Sequence, residues 1–462
     1  MAGATARSIA EAVSAGRRSA AAVIEEALGR IEQANPALNA LIDLDPERVR
    51  ADARLVDERV AAGAALPLAG VPVAIKDNIW VAGRRVTQGS RLFADFCAPV
   101  DAIAVERLRR AGAVVVGMAN TPEFAAKGNT TNRLFGPTRH PLDPGLTPGG
   151  SSGGPAVAVA AGMVPLALGT DAGGSSRRPP AHVGVVGFKP SFGAIPYGPG
   201  FSEPFIGLSV IAPIAARVAD VALAFEVMAG PDPRDPDSVP IEERTPASSR
   251  PLEIAYSPRF GLDVPVDPDV AAATERAVEA LAGAGIAVVR RDPVWPAAAT
   301  ENALMPLQQA GLAALYGERF RREPDLFDPD IGAQIERGLG LRGVEVAQAL
   351  ALGVEIGRAL AGLLTEVDLL IGPTTPCVAW PLERLGPATI GGAAVSARGH
   401  AVFTPLFNHA KVPALSLPCG RGRDNLPVGL QIIARRCRDR LVLAFAAQVE
   451  AVLGAIGSRA AG

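Results

Sequence analysis

Two glycine-rich segments that contain serines lie close together in the sequence. The first is PGGSSGG, residues 148–154, and the second is GTDAGGSSR, residues 169–177. Glycine lets the backbone approach a ligand closely and adopt positive φ angles, and successive free N–H groups in such a loop can hold an anion. A serine hydrolase needs donors of this kind to stabilise the oxyanion of its tetrahedral intermediate. The two loops therefore favour nucleophilic catalysis by a serine.

Three other interpretations of these loops are open. One is a Gly/Ser linker, and another is a phosphate-binding loop, although the pattern G-x-x-x-x-G-K-[ST] is absent. The third is the nucleophile elbow of α/β-hydrolases, because Ser151 and Ser152 both satisfy G-x-S-x-G. The histidines that could then complete a triad with an acidic residue are His182, His400 and His409. An elbow directly follows a strand, whereas the proline-rich residues 140–148 are predicted to be coil, which makes this the weaker hypothesis.

Lysine is rare in this chain, and Lys76 stands where its chemistry could matter. The lysines among the 45 basic residues are Lys76, Lys127, Lys189 and Lys411. Arginine stays charged at any working pH, whereas a buried lysine can lose its proton and act as a base. Taken alone, a lysine after an apolar run is typical of a solvated strand end. Its occurrence together with two serine loops, in this order, favours a catalytic role.

Short apolar runs alternate with helical patterns around these residues. Strands are predicted at residues 71–75, 114–118, 164–168, 252–256, 286–290, 367–371 and 414–417. Helices are predicted from a capping box that starts at Ser8, at residues 23–32 with an end before Pro36, at 48–62, 104–111, 155–161 and 270–284, and over most of 295–354. This alternation favours an α/β fold with a largely parallel or mixed sheet. Lys76 and residues 171–175 follow strand ends, where sites in such sheets gather.

No boundary in the sequence divides the chain convincingly. We therefore expect one domain over residues 1–462, with a loop rich in Pro, Asp and Ser at residues 230–250. Its expected parts are N-terminal helices (1–65), a catalytic core (66–230), a variable region that shapes the substrate site (231–365) and a segment that completes the core (366–455).

Bulk properties restrict the possible function classes. A net charge of −2 and a pI near 6.2 offer no basic field for nucleic acid and no polybasic run for a membrane surface. The longest apolar stretch, residues 156–168, is too short and too interrupted to span a bilayer. The cysteines are far apart and the histidines form no metal motif, so we expect neither disulfides nor a metal. Residues 1–10 carry no apolar segment typical of a signal peptide, so we expect a cytoplasmic protein.

The motifs together resemble those of the amidase-signature family. The matching segments are VPVAIKDN around Lys76, ANTPEF…GNTTNRLFGPTRHP before the first serine loop, both serine loops, VDLLIGPTTP at residues 367–376, and PALSLPCG…NLPVGLQII at residues 413–433. The resemblance runs from about residue 8 to about residue 455. It implies a large mixed β-sheet flanked by helices on both faces, and cleavage of C–N bonds without a metal or organic cofactor.

The resemblance also implies roles for individual residues. Ser175 would attack the carbonyl, Ser151 would relay its proton after a cis peptide bond from Gly150, and Lys76 would take the proton. The oxyanion donors would be the backbone N–H groups of Ala172, Gly173, Gly174 and Ser175. Asp171 and Arg177 would form an ion pair that holds the loop, with Ser152 in support. Asp77 would raise the pKa of Lys76 if it faced the amine, but alternation along a strand predicts that the two side chains point apart.

The substrate remains open in the sequence. The residues that the resemblance implies as substrate contacts are Phe124, Ala125, Ala126, Gly128, Asn129, Phe205 and Ile206. Aryl or aliphatic amides, carbamates (urethanes) and esters all pass through the same oxyanion. The alternatives are the amidase subunit of a tRNA-dependent amidotransferase and a catalytically silent binding protein, and a homodimer is one assembly that stays open.

Some positions depart from the family pattern. Ser176 stands where a branched apolar residue is usual, Pro155 stands where a small non-proline residue is common, and residues 178–180, Arg-Pro-Pro, replace a milder segment. Residues 434–436, Ala-Arg-Arg, replace a segment that contains glycine. None of these is a residue of the proposed triad, so they bear on the substrate rather than on the reaction class.

Overall fold

A computed structural model describes residues 4–241, 251–300, 302 and 304–460 of the chain. Its strands are β1 Leu41–Leu44, β2 Pro72–Lys76, β3 Val114–Ala119, β4 Leu166–Asp171, β5 Val186–Lys189, β6 Val210–Ala215, β7 Ile254–Tyr256, β8 Val288–Arg290, β9 Leu369–Pro373, β10 Thr389–Ile390, β11 Ala393–Ala394, β12 Ala414–Arg421 and β13 Pro427–Ile433. Its helices are α1 Ala6–Ser14, α2 Ala20–Leu38, α3 Pro46–Ala61, α4 Ile103–Arg110, α5 Gly153–Ala160, α6 Arg178–Val183, α7 Val218–Met228, α8 Pro268–Gly283, α9 Met305–Arg322, α10 Pro329–Gly340, α11 Gly343–Glu366, α12 Pro405–His409 and α13 Asp439–Ala460.

Eleven of these strands form one sheet in the order β1-β3-β2-β4-β6-β5-β12-β13-β9-β7-β8. The neighbours β3, β2 and β4 are parallel, as are β9, β7 and β8, whereas the central pairs from β4 to β9 are antiparallel. Every residue of β2, β3 and β4 is buried, as strands covered by helices require. The prediction of an α/β fold with a large mixed sheet is confirmed.

The N-terminal helices differ from prediction at their ends. Thr5, rather than Ser8, caps α1, because its hydroxyl accepts the Ser8 N–H at 3.1 Å. Helix α2 continues through Pro36 to Leu38 and ends at Asn39, whose φ is +51°. Pro36 removes one N–H near the helix end, and the Asn35 side chain then accepts the N–H groups of Ala40 and Leu41, at 2.9 and 2.8 Å. The predicted helix at 48–62 is confirmed as α3.

The predicted loop at residues 230–250 lies partly outside the described residues, since 242–250 are not among them. Its described part, 230–241, is turn and coil with one isolated bridge between Asp232 and Asp235. The predicted helical region at 295–354 is confirmed as α9, α10 and the start of α11. Among the helices described here, α11 has the length and hydropathy that could cross a membrane, a property shared by apolar core helices of the same length.

The sheet register places the chemically important residues side by side. Strands β2 and β4 pair in parallel with Ile75 opposite Leu168, so Lys76 at the end of β2 lies next to the end of β4. The two serine loops lie at this edge of the sheet. The first loop leads into α5, and the second loop connects β4 to α6. The carboxyl ends of adjacent strands thus bring together segments about 100 residues apart.

Candidate active site

Lys76 is fully buried, and its amine has three hydroxyl groups as hydrogen-bonding neighbours. Its Nζ lies 2.8 Å from Ser151 Oγ, 3.0 Å from Ser152 Oγ and 2.9 Å from Thr170 Oγ1. Its exposed fraction is 0%. A charged ammonium in such a place normally needs a carboxylate partner. Because no carboxylate of the described residues lies within hydrogen-bonding distance of Lys76, the neutral amine is the favoured form.

The electrostatics of Lys76 follow from this burial. Burial lowers the pKa of Lys76 well below its ordinary 10.5, the charge of Asp171 acts in the opposite direction, and the charge of Arg178 lowers the pKa further. Asp77 points away, because its carboxylate accepts the N–H groups of Thr87 and Gly89 and the Thr87 hydroxyl. Alternation at the end of the strand predicted this separation.

The loop that carries Ser151 has the backbone geometry expected from the resemblance. The Gly150–Ser151 peptide bond is cis. Thr121 Oγ1 donates to the Ser151 carbonyl at 3.2 Å, and Thr130 Oγ1 donates to the Gly149 carbonyl at 2.8 Å. A Cβ on Gly150 would lie 2.8 Å from backbone atoms of Asn129, so only glycine fits. Neighbouring segments therefore fix the direction in which the Ser151 hydroxyl points.

The nucleophile-elbow interpretation fails on its structural condition. The residues before Ser151 form turns and coil with one isolated bridge at Leu146, and the loop follows no strand. Among the described residues, no histidine ring is hydrogen-bonded to a serine of either loop. The strand that does lead into a serine loop is β4, and the serine it presents is Ser175.

The Ser175 loop is held by a buried ion pair. Arg177 donates from Nε and Nη2 to the two oxygens of Asp171, each at 3.0 Å, and both side chains are fully buried. The Gly174 N–H and the Ser176 N–H also donate to Asp171, at 2.7 and 3.0 Å. Burial by itself would raise the pKa of Asp171, but the Arg177 charge and hydrogen bonds hold it below its ordinary value.

These contacts narrow the set of oxyanion donors. The Gly174 N–H is already donated to Asp171, which corrects the prediction that it is free for substrate. Ala172, Gly173 and Ser175 remain, and all three line one cavity. A Cβ on Gly173 would meet no atom within 4 Å, so this backbone faces open space. Donors fixed in advance in this way are what an oxyanion hole requires.

The cavity above Ser175 has a volume of about 320 Å³. Its base is formed by Ala172, Gly173, Ser175 and Arg178. One side is lined by Ala125, Ala126, Lys127, Gly128 and Phe205. Another side is lined by Leu304 and by residues of α9 and α10, which are Met305, Leu307, Gln308, Asp330, Ala333, Gln334 and Arg337. The remaining side comes from residues 385–409. Ser175 is 7% exposed and is one of the residues that line this cavity.

Three of the predicted substrate contacts lie off the cavity wall. The Phe124 ring is buried and stacks on Tyr316 at 4.0 Å, behind the wall. Asn129 turns its amide to the Arg384 carbonyl at 3.3 Å, and Ile206 is 40% exposed. Ala125, Ala126, Gly128 and Phe205 do line the cavity. Phe124 and Asn129 therefore support the wall and the Ser151 loop rather than contact the cavity.

Several residues around the site were not predicted. Thr170 contacts Lys76, while Asn408 and Gln431 accept from Arg177 at 2.6 and 2.7 Å. Gln308 and Gln334 hold the Ala126 carbonyl, at 3.0 and 3.3 Å. Thr170 lies within the quoted motif and could have been found from its place in β4. The others depend on contacts between distant segments that no local pattern indicates.

Comparison with known proteins identifies the family. The sequence model described as Amidase matches residues 22–443. The chain is 37% identical over 459 residues to an acylamidase of Rhodococcus erythropolis, covering 97% of this chain and 95% of that protein. It is 39% identical over 460 residues to a glutamyl-tRNA(Gln) amidotransferase subunit of Chloroflexus aurantiacus, covering 92% of this chain and 91% of that protein.

The fold agrees with this similarity. The structure matches that of a bacterial aryl acylamidase of the amidase-signature enzymes, with a TM-score of 0.90 and 28% identity, over 97% of this chain and 96% of that one. The agreement extends over nearly the whole chain. The chain belongs to the amidase-signature family and is a hydrolase of C–N bonds.

Proposed function

We propose that this enzyme cleaves small amides through an acyl-enzyme on Ser175, with Ser151 as proton relay and Lys76 as base. The observation that carries the proposal is the environment of Lys76, a buried amine with three hydroxyl neighbours and, within the described ranges, no carboxylate in contact. A lysine that is neutral at working pH can accept a proton. The base and the relay lie 2.8 Å apart, within the distance for direct transfer.

The hydrogen bonds of the three hydroxyls favour transfer through Ser151. Ser152 Oγ donates to the Thr170 carbonyl at 3.2 Å, so its proton is engaged elsewhere and it accepts from Lys76. Thr170 Oγ1 also accepts from Asn78 Nδ2 at 3.0 Å. A neutral amine has two N–H groups and one lone pair. With Ser152 and Thr170 as acceptors for the two N–H groups, the lone pair is left to the proton of Ser151.

The proposed reaction follows from this arrangement. Ser175 Oγ attacks the carbonyl carbon while its proton passes to Ser151, and the proton of Ser151 passes to Lys76. The negative oxygen is held by backbone N–H groups of Ala172, Gly173 and Ser175. The protonated Lys76 returns a proton through Ser151 to the leaving amine, and water then attacks the acyl-enzyme with the same groups acting as base. The residues named here need no metal or organic cofactor for these steps.

The cavity supports small amides, carbamates and esters as substrates. It is about 320 Å³ in volume, near the lower end of the usual range for ligand pockets. Leu304, Met305, Leu307 and Phe205 give it apolar surface for an aryl or alkyl group. Carbamates and esters are included because both pass through the same tetrahedral oxyanion.

A second candidate function comes from the amidotransferase subunits in the set of relatives. Such a subunit would hydrolyse glutamine and would need partner subunits. Glutamine hydrolysis by the isolated chain, together with capture of amidotransferase subunits from the native host, would favour this alternative. The cytoplasmic location and a homodimer also stay predictions.

A covalent probe and a substrate panel test the main proposal together. A fluorophosphonate should label wild type at Ser175, identified by peptide mass spectrometry, and should fail to label Ser175→Ala. The neighbouring Ser176 hydroxyl donates to Asp171 at 2.9 Å, so Ser176→Ala is the matched control and should still be labelled at Ser175. The substrate panel contains an anilide, a primary amide, a carbamate and an ester. Labelling at Ser151 or Ser152, or undiminished turnover in Ser175→Ala, would contradict the proposal.

A further inference from the structure

Arg178 is a buried cation at the cavity that has no anionic partner among the described residues. Arg178 is 6% exposed. It lines the cavity together with Ser175, which precedes it by three residues in the sequence. Its one hydrogen bond to the described residues is a long contact of 3.5 Å from Nη2 to the Gly150 carbonyl, and its Nε is buried without a partner. A guanidinium has five N–H donors, so most of the donors of Arg178 are unused.

The preceding residue shows what a structural arginine looks like in the same place. Arg177 makes five hydrogen bonds, to Asp171, Thr404, Asn408 and Gln431. Asp171 cannot serve Arg178 as well, because each of its two oxygens already accepts three hydrogen bonds. Within the described part of the chain, Arg178 forms no ion pair. The described residues therefore leave its charge without a directly paired anion.

The charges around the cavity add to this imbalance. Arg398 and Arg337 also line the cavity. The acidic lining residue, Asp330, lies 3.6 Å from the Lys127 amine, which also binds Asp328 at 2.6 Å. Burial, and next the charge of Arg398, lower the pKa of Arg178 to about 9. A buried cation beside other cations is costly unless an anion joins it, and the cavity that Arg178 lines is a place where such an anion can bind.

We propose that Arg178 binds a carboxylate of the substrate, so that the enzyme prefers amides that carry a negative charge close to the scissile bond. This inference rests on the proposed function, because it assigns a substrate class to the same site. A planar guanidinium with free donors pairs with a carboxylate through two parallel hydrogen bonds. The carboxylate can belong to the acyl group, as in a monoamide of a dicarboxylic acid, or to the leaving amine, as in an acylated amino acid.

Matched substrate pairs test the preference in both positions. Succinic acid mono-4-nitroanilide and pentanoic acid 4-nitroanilide differ in charge on the acyl side, and 4-acetamidobenzoate and 4-acetamidotoluene differ on the amine side. Wild type should favour the charged member of one pair by about tenfold or more in kcat/KM, the effect of a charge-assisted hydrogen bond. Arg178→Gln should abolish this ratio and Arg178→Lys should keep part of it. Arg337→Gln, an exposed residue of the cavity lining, should change the ratio less.

Binding measurements give an answer that does not require turnover. On the inactive Ser175→Ala background, calorimetry should show tighter binding of the charged members, and adding Arg178→Gln should remove the difference. A ratio that survives Arg178→Gln, or a wild type that binds and cleaves both members of each pair equally, would overturn the inference. If binding discriminates but no substrate is cleaved and no probe labels Ser175, the proposed reaction fails while the carboxylate site stands. Thermal unfolding separates loss of the ratio from loss of the fold.

Discussion

Thr170 Oγ1 lies 2.9 Å from the Lys76 amine and 3.0 Å from Asn78 Nδ2. Thr170 belongs to β4 and Lys76 to β2, so this contact joins the ends of two paired strands. The end of β4 also leads into the loop that carries Ser175. The hydroxyl therefore couples the position of the base to the strand from which Ser175 follows.

Replacement of Thr170 tests that coupling. Thr170→Val keeps the shape but leaves two donors without an acceptor, which costs about 1–3 kcal/mol in a buried site. We expect kcat to fall about tenfold with little change in KM. The Lys76 amine loses its orientation in this variant, whereas the substrate keeps its contacts with the cavity. Thr170→Ser keeps the hydroxyl and should stay close to wild type in steady-state kinetics. Equal activity of the valine and serine variants would show that the contact is dispensable.

The pH dependence of activity should report the ionisation of Lys76. Burial and the Arg178 charge lower its pKa, so kcat/KM should rise with pH along an acid limb that lies well below 10.5, as the amine loses its proton. Removal of the neighbouring cation raises the pKa of Lys76. The acid limb of Arg178→Gln, measured on a neutral substrate, should thus move to higher pH.

Lys76→Arg is the companion variant for this profile. Because arginine stays protonated, we expect activity to fall by about a thousandfold or more at every pH. An arginine variant that kept an acid limb and substantial turnover would remove Lys76 from the role of base. An acid limb of Arg178→Gln that moved to lower pH would contradict the assigned electrostatics.

The Asp171–Arg177 pair should dominate the stability of the second serine loop. Asp171→Asn leaves a buried arginine uncompensated, and breaking such a pair costs about 3–5 kcal/mol in the free energy of unfolding. The exposed pair of Arg291 and Glu366 is the matched control, and Glu366→Gln should cost less than about 1 kcal/mol. Denaturant unfolding measures the free energy of unfolding of both variants relative to wild type.

The pH dependence of this loss has a definite sign. The folded pKa of Asp171 is held below its ordinary 3.8, so its contribution is present above that value and is lost as pH falls through the folded pKa. The difference between wild type and Asp171→Asn should therefore be constant from about pH 5 to 8 and shrink only in strong acid. A difference that disappeared near neutral pH would contradict the assignment.

Gly174 should tolerate no side chain. Its φ is +116°, and a Cβ would lie 2.1 Å from Thr404 Oγ1. Gly174→Ala must displace the loop that carries Ser175 and the oxyanion donors, and we expect kcat to fall about 100-fold, as when such a donor is lost. Gly283→Ala, in a helix with no atom near its Cβ, is the control and should be neutral or slightly stabilising. The measurements are kcat and the thermal unfolding midpoint of both variants. An unchanged kcat in Gly174→Ala would contradict the prediction.

Local patterns predicted the parts of the site that depend on one segment. The apolar run before Lys76 and the glycines around Ser151 and Ser175 indicated a strand end and two tight loops, and the sheet brings them together. The helix end before Pro36 was predicted wrongly, because α2 continues to Leu38 and the Asn35 side chain accepts the N–H groups of Ala40 and Leu41 just beyond its end. No local pattern could indicate that Asn408 and Gln431 hold Arg177, since those contacts exist only once the chain has folded.

The cavity wall illustrates the same difference. The helical region at 295–354 was predicted, but not that α9 and α10 face Ser175, because their lining residues, such as Met305 and Gln334, are typical of any amphipathic helix. Phe124 was expected to touch substrate, yet its ring stacks on Tyr316 of α9. A sequence shows that a helix has an apolar face, and the fold decides what that face covers.

The separation of the cavity into a base from residues 172–178 and sides from distant segments has an evolutionary consequence. Mutations of the lining residues of α9 and α10 can reshape the space for a new compound while the reacting groups keep their positions. Directed evolution confined to these outer segments should therefore yield new specificities more often than loss of turnover.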